Sequence, residues 1–185
     1  MNERDLSPLA PGPVAAYIVR ASIGETQVDE PTRVKADIVP YSREYERDVL
    51  SWIESEETLA ALTRGKEFPP PDDLIESWQR KGVQSYLLFS AGKPVAYAEL
   101  WDRPAELARE IAHLLVAPTS RGRGYGVKML QLLYERAAQA PQVAKVVLNL
   151  YREDEIALGC YLKAGFELAG TSSYTMGLRM ARMVR

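Results

Sequence analysis

Three glycines spaced one residue apart, Gly122-x-Gly124-x-Gly126, lie between a strand-like run and a helix-like one. Upstream, Leu107 to Val116 reads as a strand. Downstream, Met129, Leu130, Leu133, Tyr134 and Ala137 recur at helical spacing. Glycine lets backbone N–H groups approach a ligand closely. A helix N-terminus adds unpaired donors and partial positive charge. Together they suit a pyrophosphate, and Arg121, Arg123 and Lys128 place formal charge nearby. The alternative is a structural strand-to-helix turn with basic residues on a solvated face. Neither G-x-x-x-x-G-K-[ST] nor G-x-G-x-x-G is present. The loop therefore suggests a phosphate-bearing ligand outside the usual ATP and NAD sites.

Composition narrows the remaining choices. With 46% apolar and 26% charged residues the chain is of globular type, and 185 residues suit about one domain. A net charge of −2 argues against a nucleic-acid coat. No apolar run approaches the roughly 18 residues of a membrane-spanning helix. The start, MNERDLSPLAPGP, lacks the apolar core of a secretory signal, so a cytoplasmic protein is expected. A single cysteine, Cys160, excludes an intrachain disulfide, and a single histidine, His113, excludes a two-histidine metal site within one chain. No metal, membrane or nucleic-acid partner is expected.

Residues 1–32 carry Pro8, Pro11, Pro13 and Pro31 and read as an N-terminal extension to a domain over 33–185. Within the domain, Ala36 to Pro40 suggests a short strand and Glu44 to Glu54 a helix. Thr58 to Thr63 suggests a further helical turn stopped by Gly65. Asp72 is placed to cap a helix over Asp73 to Lys81. Tyr86 to Phe89 and Val95 to Leu100 flank a tight turn at Ala91-Gly92-Lys93-Pro94, as in a β-hairpin. After the glycine loop and its helix, Lys145 to Leu150 is an apolar strand, Asp154 to Lys163 a helix, and Tyr174 to Met180 a last strand. The order predicts an α/β fold, with a mixed, partly antiparallel sheet flanked by helices and two parallel strand–helix–strand crossovers.

At this point the chain resembles a known family. Arg121-x-x-Gly124-x-Gly126 is similar to the R/Q-x-x-G-x-G/A signature of the GNAT superfamily, the acyl-CoA-dependent N-acetyltransferases. Leu114-Leu115-Val116-Ala117-Pro118 resembles that family's preceding strand. Ala157-x-x-x-Tyr161-x-Lys163-x-Gly165-Phe166 resembles its later helix. The family often has asparagine three residues before that alanine, where this chain has Asp154. The likeness covers about residues 34–183. It implies a gap in the sheet between Ile111–Val116 and Val146–Leu150 that receives acyl-CoA. The pantetheine arm would bond to backbone at Leu114 and Val116. The pyrophosphate would sit on the N–H groups of Arg121, Gly122, Arg123, Gly124, Tyr125 and Gly126, with Val127 in the same helix turn.

Amine acylation needs a base for the amine proton and an acid for the departing thiolate. Tyr161 falls on the family's helix tyrosine and is the candidate acid; its alternative is a packing or orienting role. Glu110 resembles the strand glutamate of the histone-acetyltransferase branch and is the candidate base; its alternative is a salt-bridge partner. Glu99 is a second base candidate, and a water chain a third. His113 lies an odd number of residues from Glu110, so on a regular strand the two face opposite ways, and a packed or solvent-facing histidine is expected. Asn149, within an apolar strand, needs hydrogen-bond partners. Cys160 reads as a packing residue, because no imidazole or cation is assigned beside it.

The acceptor is expected against Trp52 to Lys81, where Glu54, Glu56, Glu57, Glu67, Asp72 and Asp73 outnumber Arg64, Lys66, Arg80 and Lys81. Acidic residues lining a cleft would favour a cationic amine. The same charges on solvated helix faces are the alternative. The combined expectation is acetyl transfer from acetyl-CoA to a primary amine in a ternary complex. The acceptor classes are a small amine, an aminoglycoside-like compound or a protein N-terminus. The competing reading is a non-catalytic CoA-binding module. Either a monomer or a homodimer is compatible.

Overall fold

The computed structural model describes residues 35–63, 68–172 and 177–184, which fall within a unit spanning Val34–Arg185. The extension expected over 1–32 lies outside the described residues. Seven strands form one sheet: β1 (Asp37–Pro40), β2 (Val83–Ser90), β3 (Lys93–Arg103), β4 (Ala108–Val116), β5 (Lys145–Leu150), β6 (Glu167–Ser172) and β7 (Gly177–Met183). Five helices accompany them: α1 (Glu46–Ser51), α2 (Glu56–Leu62), α3 (Leu74–Trp78), α4 (Tyr125–Ala138) and α5 (Glu155–Lys163). The order across the sheet is β1-β2-β3-β4-β5-β7-β6.

Alternation along the strands sorts side chains between two cores. Leu88, Ala96, Ala98, Leu100, Val146 and Leu148 pack with Met129, Leu130 and Leu133 of α4 in the first. Leu87, Tyr97 and Leu115 pack with Val49, Leu59, Leu74 and Trp78 of α1 to α3 in the second. Each fully buried Leu contributes about 2 kcal/mol. The hairpin turn is two residues long, and Ala91 and Gly92 both have positive φ, 49° and 75°. That left-handed pair matches the twist of the flanking strands. Helix α5 begins as its sequence suggests: Asp154 accepts from the Ala157 N–H at 2.9 Å. It ends in a Schellman arrangement, with the Phe166 N–H bonded to the Tyr161 carbonyl and Gly165 at φ +85°.

Helix α3 and the sheet order depart from the expectations. Helix α3 is shorter than the stretch to Lys81, and its N-cap is Asp73, without a side-chain cap bond, rather than Asp72. Gln79 ends it. Its side chain donates to the Ile75 carbonyl at 3.1 Å and so takes the place of the next helical N–H. The second parallel crossover runs from β5 through α5 to β6, not to the expected last strand. An unanticipated strand, β6, follows α5, and β7 inserts between β5 and β6, antiparallel to both. Tyr174 and Met176 of the expected last strand lie outside the described residues. The one parallel pair among the described strands is β4 with β5.

That pair is brief. Ala108, Arg109 and Glu110 pair with Lys145, Val146 and Val147, and the register continues no further. The reason lies on the other side of β4. Between Tyr97 and Glu99 of β3, the partner positions run from Leu115 to Ala112, so three residue steps oppose two. The extra residue is a β-bulge, and His113 sits there with φ +49°. The regular-strand argument that set His113 opposite to Glu110 therefore does not hold. The bulge turns the His113 ring to the second-core face, 3.8 Å from the Trp78 ring and 5.2 Å from the Trp101 ring.

Glu99 anchors this face. It is completely buried, accepting from the Tyr97 hydroxyl at 2.6 Å and the Trp101 indole N–H at 2.5 Å. His113 Nδ1 lies 3.0 Å from Glu99 Oε2, without hydrogen-bond alignment. Removing the carboxylate orphans two buried donors. Glu99→Ala is expected to lower unfolding free energy by about 3 kcal/mol, and Glu99→Gln by less, as read from urea midpoints. Equal, near-zero losses would show that this carboxylate does not hold the face together.

Candidate active site

Beyond Glu110, β4 diverges from β5, which leaves the β5-facing edge of Ile111–Val116, including Leu114 and Val116, without a strand partner among the described residues. This is the gap the sequence resemblance implied. An unpaired strand edge offers N–H and C=O groups to an extended ligand. One of these groups is already engaged: the Val116 carbonyl accepts from Arg121 Nε at 3.2 Å.

The edge runs through the 3₁₀ turn Pro118–Ser120 into the glycine loop. Gly122 and Gly124 take φ +73° and +82°, where a Cβ would be strained. Gly124 is the N-cap of α4 and brings no side chain to its first turn. The N–H groups of Tyr125, Gly126 and Val127 therefore face the loop mouth without intrahelical partners. Gly126 serves packing instead: a Cβ there would stand 3.1 Å from Cys160 Sγ. Arg123 is exposed. The Arg121 guanidinium is committed elsewhere, to Glu54 at 3.2 Å and to the Trp52 carbonyl at 3.2 Å. It ties the loop to the end of α1 rather than reaching toward a phosphate.

Tyr161 lies on α5 and packs against the first core beside Cys160. Burial, with smaller contributions from Cys160 and Asp154, raises its phenol above the ordinary range. A phenol held this way keeps its proton and has one to donate. Burial also pushes the Cys160 thiol up to about 11. A protonated, packed thiol fits the structural reading of this cysteine.

Glu110 opens on the opposite face. Arg103 binds its Oε2 through Nε at 2.7 Å and Nη2 at 2.6 Å. Asn149 Nδ2 donates to its Oε1 at 2.8 Å. The salt-bridge arrangement and the candidate base are thus one residue. Glu110 lines a cavity of about 410 Å³ together with Trp101, which stands directly across β3 from it, and Asn149. Arg80, Glu106 and Arg179 complete the charged part of the wall. Glu106 and Arg179 form an ion pair. Glu99, the second base candidate, is shut in the core. The structure therefore joins Glu110 with Asn149 and sets Tyr161 against the first core, on the other side of the sheet.

The expected acidic cleft is not what lines this cavity. Glu56, Glu57, Asp72 and Asp73 are exposed on helix starts and turns, and Glu54 is spent on Arg121. Trp52 and Trp78 are core residues. Arg64, Lys66 and Glu67 lie outside the described residues. Among the described residues no cluster of three or more metal-ligating side chains occurs, and no helix is long and apolar enough to cross a membrane.

Residues 42–166 match the acetyltransferase (GNAT) family. The chain belongs to that family. Among curated proteins it is 28% identical over 134 residues to an aminoglycoside N(6')-acetyltransferase type 1 of Klebsiella pneumoniae, covering 66% of this chain and 65% of that one. The chain thus spans a little under two thirds of that relative's length. A shorter match, 47% identical over 47 residues, joins it to a mycothiol acetyltransferase of Amycolatopsis mediterranei, over 25% of this chain and 16% of the relative. Among solved structures, an aminoglycoside acetyltransferase bound to coenzyme A and kanamycin superposes with TM-score 0.67 at 21% identity, covering 80% of this chain and 95% of that one. The mixed-sheet, helix-flanked fold is therefore the GNAT fold.

The thiol supplies a direct check on the packing. Raising its pKa from 9.0 to about 11 lowers the thiolate fraction near pH 8 by about a hundredfold. Alkylation of Cys160 at pH 8 is expected to be slower in the folded than in the urea-unfolded protein by at least that factor. The gap should narrow as pH rises toward 11. Equal rates at pH 8 would place the thiol in solvent.

Proposed function

We propose that the protein transfers an acetyl group from acetyl-CoA to a primary amine by direct attack in a ternary complex. The observation that carries this reading is the divergence of β4 from β5 just after Glu110, which opens the sheet beside a glycine loop and a helix N-terminus. In this reading the pantetheine lies as an added strand along Ile111–Val116. The pyrophosphate rests on the N–H groups between Arg121 and Val127, with the side chain of Arg121 holding the loop rather than the phosphate.

The amine nitrogen attacks the thioester carbonyl carbon, and a tetrahedral intermediate forms. Glu110, oriented by Arg103 and Asn149, takes the ammonium proton, directly or through a water. The C–S bond then breaks, and Tyr161 donates its proton to the leaving thiolate. The two groups approach from opposite faces of the sheet and meet at the opening. No cysteine relay is needed, since Cys160 is held as a thiol. The curated relative's name supports amine acetylation as the reaction class.

Thermal unfolding with and without acetyl-CoA, with ATP and NAD as controls, tests donor binding. A ligand at 100 times its Kd adds about 2.7 kcal/mol to the folded state, and a shift with acetyl-CoA alone is expected. Tyr161→Phe should then reduce turnover by about 10²–10⁴-fold with acetyl-CoA affinity unchanged. A variant that binds the donor and turns over normally would remove Tyr161 from the reaction. A wild-type protein that binds the donor but acetylates no amine would favour the CoA-binding module.

A further inference from the structure

The cavity beside Glu110 carries a charge pattern that the reaction itself does not use. Three arginines, Arg80, Arg103 and Arg179, line it against two glutamates. Both glutamates are already neutralised within the wall: Glu110 by Arg103, and Glu106 by Arg179. Arg80 is left over. Among the described residues no carboxylate pairs with it. Its guanidinium lies 4.7 Å from the centroid of the Trp101 ring, which positions it while leaving its N–H donors open. On the same wall, Asn149 donates its Nδ2 to Glu110, which fixes the direction of the amide. Its Oδ1 is buried without a hydrogen-bond partner. The wall thus pairs a free cation with an unfilled acceptor next to the proposed base.

We infer that the acceptor is a small amine that also carries an oxyanion, a carboxylate or a phosphate. The amine N–H groups meet Asn149 Oδ1 and Glu110, and the oxyanion meets Arg80. A guanidinium presents paired N–H donors that fit either oxyanion. A polycationic acceptor would bring its extra charges against an arginine that no carboxylate among the described residues neutralises. This narrows the acceptor within the acetyl-transfer reading, on which it rests, and points away from the aminoglycoside named for the curated relative. A cavity of about 410 Å³ is at the small end for ligand sites, which suits an amino acid or a phosphorylated amino alcohol.

The test is binding first, so that it does not depend on turnover. The CoA-bound protein is titrated calorimetrically with L-amino acids and their C-terminal amides, with O-phosphoethanolamine and ethanolamine, and with kanamycin and spermidine. At least one anionic member is expected to bind ten or more times more tightly than its neutral counterpart. Whether the amino acids or phosphoethanolamine show the larger ratio identifies the oxyanion. In Arg80→Gln the ratio should collapse toward one. Equal affinity for acids and amides, tighter binding of kanamycin or spermidine, or an unchanged ratio in Arg80→Gln would each overturn the inference. Thiol release from acetyl-CoA is then followed with the same set. An anion preference in binding without any thiol release would leave this inference standing and bring down the acetyl-transfer reading instead.

Discussion

The bulge at His113 is the constraint on which the rest of the arrangement depends. A single extra residue in β4 changes its direction relative to β3. Strand β4 cannot then follow both neighbours, and its pairing with β5 stops after three residues. A sheet interior normally satisfies its backbone internally. Here a central strand leaves one edge open at the middle of the fold. The positive φ of His113, 49°, is held by rings on both sides of the imidazole and by the buried carboxylate of Glu99 behind it.

That buried carboxylate explains why the cluster can be stable. Glu99 sits in an otherwise apolar second core, and an isolated charge there would cost several kcal/mol. The Tyr97 and Trp101 donors offset the cost, since each aromatic ring contributes apolar area and a single polar tip. Trp101 links the two regions. Its indole N–H bonds inward to Glu99, and its ring face carries Arg80 and Arg103 at the cavity. The opening of the sheet and the charge of the cavity wall therefore share one side chain.

Local patterns in the sequence carried the donor side. The glycine spacing, the helix after it and the strand Lys145–Leu150 are contiguous, and each has a periodicity that short-range sterics enforce. The cavity wall was not legible, because its members come from seven separate segments. Arg80 follows α3, Trp101 and Arg103 end β3, Glu106 lies in the turn after it, Glu110 is near the start of β4, Asn149 near the end of β5, Thr171 and Ser172 end β6, and Arg179 lies in β7. Only pairing brings them together. The register of β3 against β4, counted back from the turn at Pro104–Glu106, sets Trp101 against Glu110 and is the one available signal. Strand β6 escaped notice because Glu167–Ser172 holds one large apolar residue, Leu168, and lies almost wholly exposed at the sheet edge. The bulge escaped because histidine, unlike glycine, does not advertise a left-handed backbone.

The place of β7 in the sheet has a consequence for how the molecule is made. Strand β5 lies next to β4, yet that neighbour covers only half of it, and its other edge is completed by β7 over all six residues. Among the described strands β7 is the last in chain order. During synthesis, then, the middle of the sheet has a raw edge until residue 183 has left the ribosome. Strand β6 can find its own neighbour only at that same moment. A nascent chain halted before Gly177 holds the glycine loop but neither the wall that Arg179 supplies nor a finished sheet. Ordering of that wall is thereby deferred until β7 has been made.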